Sequence, residues 1–553
     1  SVICTDKTGT LTQNQMQVAE TKLAKISDEL LAEMIATNTT ANLDFSDKKA
    51  IKAVGNPTEA ALLLWLNGKG ISYITVRENS EIIDRLPFST ENKYMVSVVK
   101  SVVLNKNVAF VKGAPEILLA LSNLDEKQKR EYQSLLLDYQ NKAMRTLALA
   151  YVESNGSEQV LKDGKLNVND LNFVGIFGIS DPVREDVPAA INDCVSAGIQ
   201  VKIVTGDTSG TAKEIGRQIG LWNEKDTDKN ILTGTEFAAM TDDELLNRVE
   251  DVKILSRARP NDKERLVRLL QKRGLVVAAT GDGTNDAPAL NVADVGLSMG
   301  DGTAVAKEAS DMTIQDNSFS TIANAVMWGR SLYKNIQRFL LFQLTVNVTA
   351  CFLVLVGAFM GTQSPLTVTQ MLWINLIMDT FAAIALASLP PSKSVMNDKP
   401  RDRKASILSD SMRKEILGVG FFFFFLLVAM LFVFEHGDYT SMRDLLNLYI
   451  GERDSLTTYE LTLLFTTFVM THFFYLFNAR AFETGKSALH FKGCQGLLAI
   501  IAVVFLGQIA MVEIPFLQDF FNVCGLKFED WIIIIIGSSL VLWVREIWHL
   551  ITK

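Results

Sequence analysis

SVICTDKTGTLT, residues 1–12, is a short apolar run that ends on one acid and continues in small polar residues. An apolar run of strand length closing on a carboxylate reads as a buried strand that carries Asp6 at its carboxyl end. IQVKIVTGD (199–207), LVVAATGDG (275–283) and ADVGLSMG (293–300) repeat the design, and FVGIFGISDP (173–182) reads as another strand of the set. Helical stretches such as 209–220 and 262–273 separate them. Strands alternating with helices predict a doubly wound α/β domain, with its active site at the carboxyl ends of the strands. Residues from about 20 to 170 interrupt the alternation and predict an inserted domain with its own strands, as in NKYMVSVVKSVVLNKNVAFVKG (92–113).

Beyond residue 325 the chain changes character. Long apolar runs fall at roughly 338–361, 368–389, 414–434, 460–478, 495–514 and 530–549. Each has the length a helix needs to cross a bilayer. GVGFFFFFLLVAMLFVF (418–434) and WIIIIIGSSLVLWV (531–544) are too apolar for an ordinary soluble core. Lys and Arg gather in alternate loops: in 390–413, at Arg480, Lys486 and Lys492, and at Arg545 and Lys553. The intervening 362–367 is uncharged, and 435–459 is mostly acidic (Glu435, Asp438, Asp444, Glu452, Asp454). This asymmetry predicts six spans with both ends, and the large soluble part, in the cytosol. A net charge of -8 argues against nucleic acid as a partner. Cys4, Cys194, Cys351, Cys494 and Cys524 are scattered and read as thiols of a reducing compartment.

No Walker-type phosphate loop is present; GKS at 485–487 lacks the upstream glycine. A carboxylate such as Asp6 can instead attack a γ-phosphoryl group itself. That attack needs charge neutralisation and positioning. The other strand ends supply candidates: Thr205, Gly206 and Asp207 in TGD, Lys263 after ARPND, and Asp282 and Asp286 in TGDGTNDAPAL (280–290). Asp6 with Asp282 and Asp286 offers hard oxygen ligands for Mg²⁺. Lys263 and the backbone N–H groups of Thr205 and Gly206 offer a hold on phosphoryl oxygens. The bland alternatives are turn chemistry for the acids, a core position for Phe88, a solvated strand-end charge for Lys112 and a helix-carboxylate pair for Arg145.

DKTGTLT (6–12), KGAPE (112–116), DPVRE (181–185), TGD (205–207) and TGDGTNDAPAL (280–290) stand in the order and spacing of the P-type ATPases, which the whole chain resembles. The resemblance implies a haloacid-dehalogenase-like α/β phosphorylation domain in two segments, 1–20 and 171–325. It implies an inserted α+β nucleotide-binding domain at 21–170 and an all-α bundle of six transmembrane helices at 326–553. Asp6 would be the phosphorylated residue, with Asp6, Asp282 and the Thr8 carbonyl on Mg²⁺. Lys263, Thr205 and Gly206 would hold phosphate beside Asp207, and Asn285 and Asp286 would support the site. ATP would lie against Glu59 of GNPTEAAL (55–62), Phe88 beneath the adenine, Lys112, Arg145, Arg257 and Asp181. A soluble phosphatase of the same fold also uses an Asp nucleophile, but six spans and the insertion weigh against it.

Polar residues within spans are costly and point to function. Asn375 and Asp379 in QMLWINLIMDTFAAIAL (370–386) are four apart, and are expected to share one helix face. Asn347 in FQLTVNVTA (342–350) lies in the first span. Carboxylate and amide oxygens suit a hard cation. QLTVNV and MLWINLIMDTFA are similar to the calcium-pumping branch, most closely the plasma-membrane type. Where two-ion calcium pumps carry an acid and a Thr, this chain has Ala350 and Met378, which implies one Ca²⁺ per cycle. The alternatives are Mn²⁺ or a monovalent ion, or a non-catalytic nucleotide-binding membrane fragment. The resemblance also implies four further spans and an actuator domain ahead of DKTGT. A chain that starts at Ser1 is then expected to be the carboxyl-terminal part of a pump of the plasma or inner membrane, unable to transport without the rest.

Overall fold

The computed structural model describes residues 1–46, 51–154, 160–162, 165–446, 455–491 and 495–552. Glu452, Asp454, Lys492, Cys494 and Lys553 lie outside the described residues. The chain forms two compact units, Ser1–Asn324 with Asp398–Arg403, and Ala325–Asn397 with Lys404–Lys553.

In the first unit, seven parallel strands run in the order Ile231–Thr233, Ile254–Ser256, Gln200–Val204, Val2–Thr5, Val277–Gly281, Val295–Met299, Met312–Ile314. Val2–Thr5 is buried along its whole length. The strands that follow it build first to one side of it and then to the other. The sheet therefore reverses its order next to Asp6, which is where a doubly wound fold opens its crevice. Helix Pro260–Lys272 covers one face with Leu266, Val267, Leu269 and Leu270.

The stretch 173–182 belongs elsewhere. Asn172–Ser180 pairs antiparallel with Gln17–Leu23 on one side and with Arg145–Glu153 on the other. It is part of a six-stranded sheet completed by Lys106–Gly113, Tyr94–Ser101 and Glu81–Leu86. Helices Asp28–Thr37 and Pro57–Gly68 pack on one face of that sheet, where Trp65 meets Phe177 edge-on at 5.5 Å. Tyr139 and Leu136 of helix Glu126–Asn141 pack with Ile176 and Ala148 on the other. A strand covered on both faces is apolar throughout, so its sequence looks the same as a strand of the parallel sheet. The strands Gln17–Leu23 and Asn172–Ser180 thus lie within the inserted sheet. The chain passes between the two sheets just beyond them, where Thr12 bridges Val183 and the Gln13 N–H donates to the Pro182 carbonyl at 3.0 Å.

The second unit contains, among the described residues, six helices long and apolar enough to cross a membrane: Phe319–Met360, Val368–Ala387, Asp410–Glu435, Thr458–Arg480, Gln495–Glu513 and Phe528–Ile551. The first helix starts well before its apolar run. Thr458–Arg480 is the most enclosed, and Tyr475, Phe473 and Asn478 on it reach Thr345, Phe505 and Val541 on three neighbours. The second span is not a uniform α-helix, because Trp373–Met378 forms a π-helical turn.

Candidate active site at the carboxyl end of the parallel sheet

Asp6 leaves the strand Val2–Thr5 with its N–H donated to the Thr280 hydroxyl at 3.0 Å, which ties it to the neighbouring strand end. One carboxylate oxygen, Oδ1, accepts the Lys7 N–H at 2.6 Å. The other faces Lys263 Nζ at 3.4 Å. Lys263 comes from the first turns of helix Pro260–Lys272 and is buried. Its nearer partner is Asp286 Oδ1 at 2.8 Å. Asp286 Oδ2 accepts the backbone N–H groups of Asp282 and Gly283, both at 3.1 Å. Both Asp286 oxygens are therefore engaged in fixing Lys263 and the 281–283 turn.

Oxygens of Asp6, Asp282 and Asp286 all lie within 4.8 Å of one another. Three carboxylates share one buried ammonium. Burial pushes Asp6 above the usual carboxylate range; Lys263 works against that rise and Asp286 adds to it. Asp282 is raised by burial and then by the charges of Asp6 and Asp286. Burial opposes the Lys263 charge, but Asp6 and Asp286 together hold its pKa above the usual lysine value. The cluster thus has an excess of negative charge and hard oxygens, which fits a small divalent cation such as Mg²⁺. Gly9, at φ +76°, allows the backbone to pass close by; a Cβ there would stand 3.1 Å from Asp282 Oδ2. Thr8, half-buried, lies in the same turn. Asn285 is exposed in the short turn Thr284–Asp286.

At the next strand end the sequence expectation needs correction. The Thr205 N–H is spent within the sheet on the Leu255 carbonyl at 2.9 Å, so it is not free for a phosphoryl oxygen. The Thr205 hydroxyl accepts from the Asp207 N–H at 3.2 Å. Gly206 is exposed with open space at its Cα. Asp207 pairs with Lys7 at 2.6 Å, a cation that motif reading passed over although it follows Asp6 directly. Exposed Arg257, at φ +49°, donates its N–H to the Asp207 carbonyl at 2.8 Å.

Lys7, Gly206, Asp207, Arg145 and Asp181 all line one cleft of about 330 Å³. The two sheets thus share a cavity beside the carboxylate cluster. Arg145 is held by the Thr58 hydroxyl at 3.5 Å, not by a helix carboxylate. Asp181 is nearly buried, and its oxygens accept from the Thr12 hydroxyl at 2.5 Å and the Gln15 N–H at 3.2 Å. It pins the crossing between the sheets. Three residues downstream, Arg184 donates to the Gly9 and Thr12 carbonyls. DPVRE contains it, but nothing in the sequence pattern gave it a role.

Glu59 and Lys112 meet at 2.9 Å inside the inserted domain. Lys112 is only 3% exposed and is not the solvated charge its strand end suggested. Glu59 also accepts from the Thr40 N–H at 2.8 Å and from the Thr39 and Thr40 hydroxyls. Burial opposes the Glu59 charge, but Lys112 and these donors outweigh it and bring its pKa to about 2. Phe88 is 58% exposed, so it is not a core aromatic.

In the second unit, Asp379 is buried, 2% exposed, and neither carboxylate oxygen has a hydrogen-bond partner among the described residues. Asn375 is exposed and Asn347 half-buried. Asn375 and Asp379, four residues apart, thus differ in exposure. The π-helical turn Trp373–Met378 contains Asn375 and runs directly into Asp379.

Residues 27–186 match the family model of the P-type ATPase cytoplasmic domain N, residues 264–326 that of haloacid dehalogenase-like hydrolases, and residues 363–551 that of the cation transporting ATPase C-terminus. Among curated proteins the chain is 36% identical to calcium-transporting ATPase 9, plasma membrane-type, of Arabidopsis thaliana, over 98% of this chain and 52% of the relative. It is 35% identical to calcium-transporting ATPase 5, plasma membrane-type, of Oryza sativa subsp. japonica, with the same 98% and 52% coverage. The chain spans about half the length of the curated relatives it matches.

Proposed function

The chain belongs to the P-type ATPase family, and from that premise we propose that it moves Ca²⁺ out of the cytosol at the expense of ATP through an aspartyl phosphate on Asp6. It is a multi-pass membrane protein whose large domains are cytosolic. The observation that carries the reading is the cluster of Asp6, Asp282 and Asp286 around Lys263 at the point where the parallel sheet reverses.

An Asp6 oxygen attacks the γ-phosphorus of ATP. The bond from that phosphorus to the bridging oxygen breaks, and ADP leaves with the electron pair. The Lys7 N–H holds Asp6 Oδ1 so that the carboxylate presents a fixed edge. Lys263 and the Gly206 N–H stabilise charge on the transferred oxygens, while Asp207 restrains Lys7. Mg²⁺ held by Asp6, Asp282 and the Thr8 carbonyl would supply the neutralising charge. Asn285 borders that site and Asp286 fixes Lys263. Phe88 stacks on the adenine near the Glu59–Lys112 pair, and Arg145, Arg257 and Asp181 frame the path to the cleft. Asp379, with Asn347 and Asn375, binds the transported ion. Ala350 and Met378 are buried and bring no oxygen, which supports one Ca²⁺ per cycle. The plasma membrane is the proposed location, as the relatives' names indicate for them.

The test is labelling of the detergent-purified protein with γ-labelled ATP and Mg²⁺, with Ca²⁺ or a chelator. Acid-stable, hydroxylamine-labile label that needs Ca²⁺ and is lost in Asp6→Asn is the expected result. Label driven instead by Mn²⁺ or a monovalent ion would overturn the ion assignment and leave the phosphorylation reading intact.

A further inference from the structure

We propose that Arg184 is a positioning residue that fixes the backbone of the 7–12 turn and thereby the metal-facing side of the Asp6 cluster; the inference rests on the reading of that cluster as a phosphorylation site. Arg184 Nε donates to the Thr12 carbonyl at 3.1 Å and Nη2 to the Gly9 carbonyl at 3.2 Å. Its backbone N–H donates to the Leu11 carbonyl at 3.1 Å. One residue thus binds three carbonyls of a single turn. From within, the N–H groups of Leu11 and Thr12 return to the Lys7 carbonyl at 3.0 and 3.2 Å. The turn is held from both sides.

The peptide between these anchors joins Thr8 to Gly9. With the Lys7 carbonyl fixed before it and the Gly9 carbonyl fixed after it, the Thr8–Gly9 plane has little freedom to rotate. It lies against Asp282, since a Cβ on Gly9 would stand 3.1 Å from Asp282 Oδ2. The direction of the Thr8 carbonyl relative to Asp6 and Asp282 therefore depends on the guanidinium fork. A planar fork can serve two carbonyls at once, whereas an ammonium is a point donor on a flexible stem.

The position of Arg184 gives this contact a second role. It lies four residues after the strand Asn172–Ser180, on the segment that returns from the inserted domain. Asp181 on the same segment is bound to Thr12 and Gln15. A rotation of the inserted domain about its two crossings is transmitted to Gly9 through Arg184, so metal affinity and domain position are coupled.

The experiment follows binding of Mn²⁺, a paramagnetic stand-in for Mg²⁺, to the whole detergent-purified protein without nucleotide, by loss of the free-ion electron paramagnetic resonance signal. Arg184→Gln is expected to weaken Mn²⁺ binding roughly tenfold, with binding of a fluorescent ATP analogue and the melting temperature close to wild type. Arg184→Lys is expected to fall between. Wild-type Mn²⁺ affinity in a folded Arg184→Gln protein overturns the proposal. Should Arg184→Gln not fold, wild-type affinity in Arg184→Lys overturns it and weakened affinity upholds it. Asp6→Asn and Asp282→Asn are measured alongside. If they keep full Mn²⁺ binding, the reading of the cluster fails; if they lose it and Arg184→Gln does not, only the Arg184 inference fails.

Discussion

Lys263 sits closer to Asp286 than to Asp6: 2.8 Å against 3.4 Å. Its tighter partner is Asp286, not Asp6, the proposed nucleophile. Asp286 therefore keeps the ammonium from closing fully onto Asp6 and masking it. Asp286→Asn is expected to let Lys263 collapse onto Asp6 and to lower phosphoenzyme formation roughly 10–100-fold, the range for loss of a supporting partner. Rapid-quench labelling with γ-labelled ATP measures this, and a rate within a factor of two of wild type would count against the assignment.

Gly9 carries a second prediction. Its φ of +76° and its closeness to Asp282 leave no comfortable place for a side chain. Gly9→Ala is expected to cost about 1–3 kcal/mol from backbone strain. It should also raise the Mg²⁺ concentration needed for half-maximal labelling. Thermal melting and a Mg²⁺ titration separate the two effects.

The Glu59–Lys112 pair makes the inserted domain sensitive to acid. Glu59 titrates near 2 when folded and near 4.5 when free, so the stability it confers is complete above about pH 4.5 and disappears as pH falls toward 2. Lys112→Ala leaves a buried carboxylate without its cation and should destabilise the domain by about 3–5 kcal/mol, whereas Lys112→Ala with Glu59→Leu should recover part of that loss. Denaturant unfolding at pH 7 distinguishes the two, and equal losses in both variants would refute the pairing argument.

Phe88 tests the nucleotide assignment without touching the core. At 58% exposure its ring has little packing to lose. Phe88→Ala should leave the melting temperature unchanged and weaken binding of a fluorescent ATP analogue by roughly 10–100-fold, the worth of one base–aromatic stack. Phe88→Trp should restore it.

Asp379 is the counterpart in the proposed ion site. Asp379→Asn keeps the volume and removes the charge. Ca²⁺-dependent labelling should disappear while nucleotide affinity stays at the wild-type level. Retained Ca²⁺ dependence would remove Asp379 from the proposed ion ligands.

What could be read from the sequence was local. The apolar run before Asp6 and the turns after Val204 and Gly281 announced a parallel sheet with acids at its ends. Spans of about twenty apolar residues announced the membrane helices. Partnership was not legible. Asn172–Ser180 carries no mark of which sheet it joins, because burial on both faces erases the alternation that would tell. Lys112 and Glu59 are 53 residues apart, and only the folded sheet brings them to 2.9 Å. The Thr205 N–H looked free because its Leu255 acceptor lies on a strand paired through tertiary contact. The π-turn at Trp373–Met378, just ahead of Asp379, leaves no mark in the apolar pattern of its span.

The paired crossings at Thr12–Gln13 and Pro182–Val183 give the inserted domain neighbouring ends. A segment that leaves and re-enters at one β-bridge adds little chain-closure cost to the fold that hosts it. The parallel sheet takes none of its strands from between those two points. The inserted sheet and its helices are therefore an exchangeable cassette: a different module with equally close ends fits the same junction without shifting the register of any strand beneath Asp6.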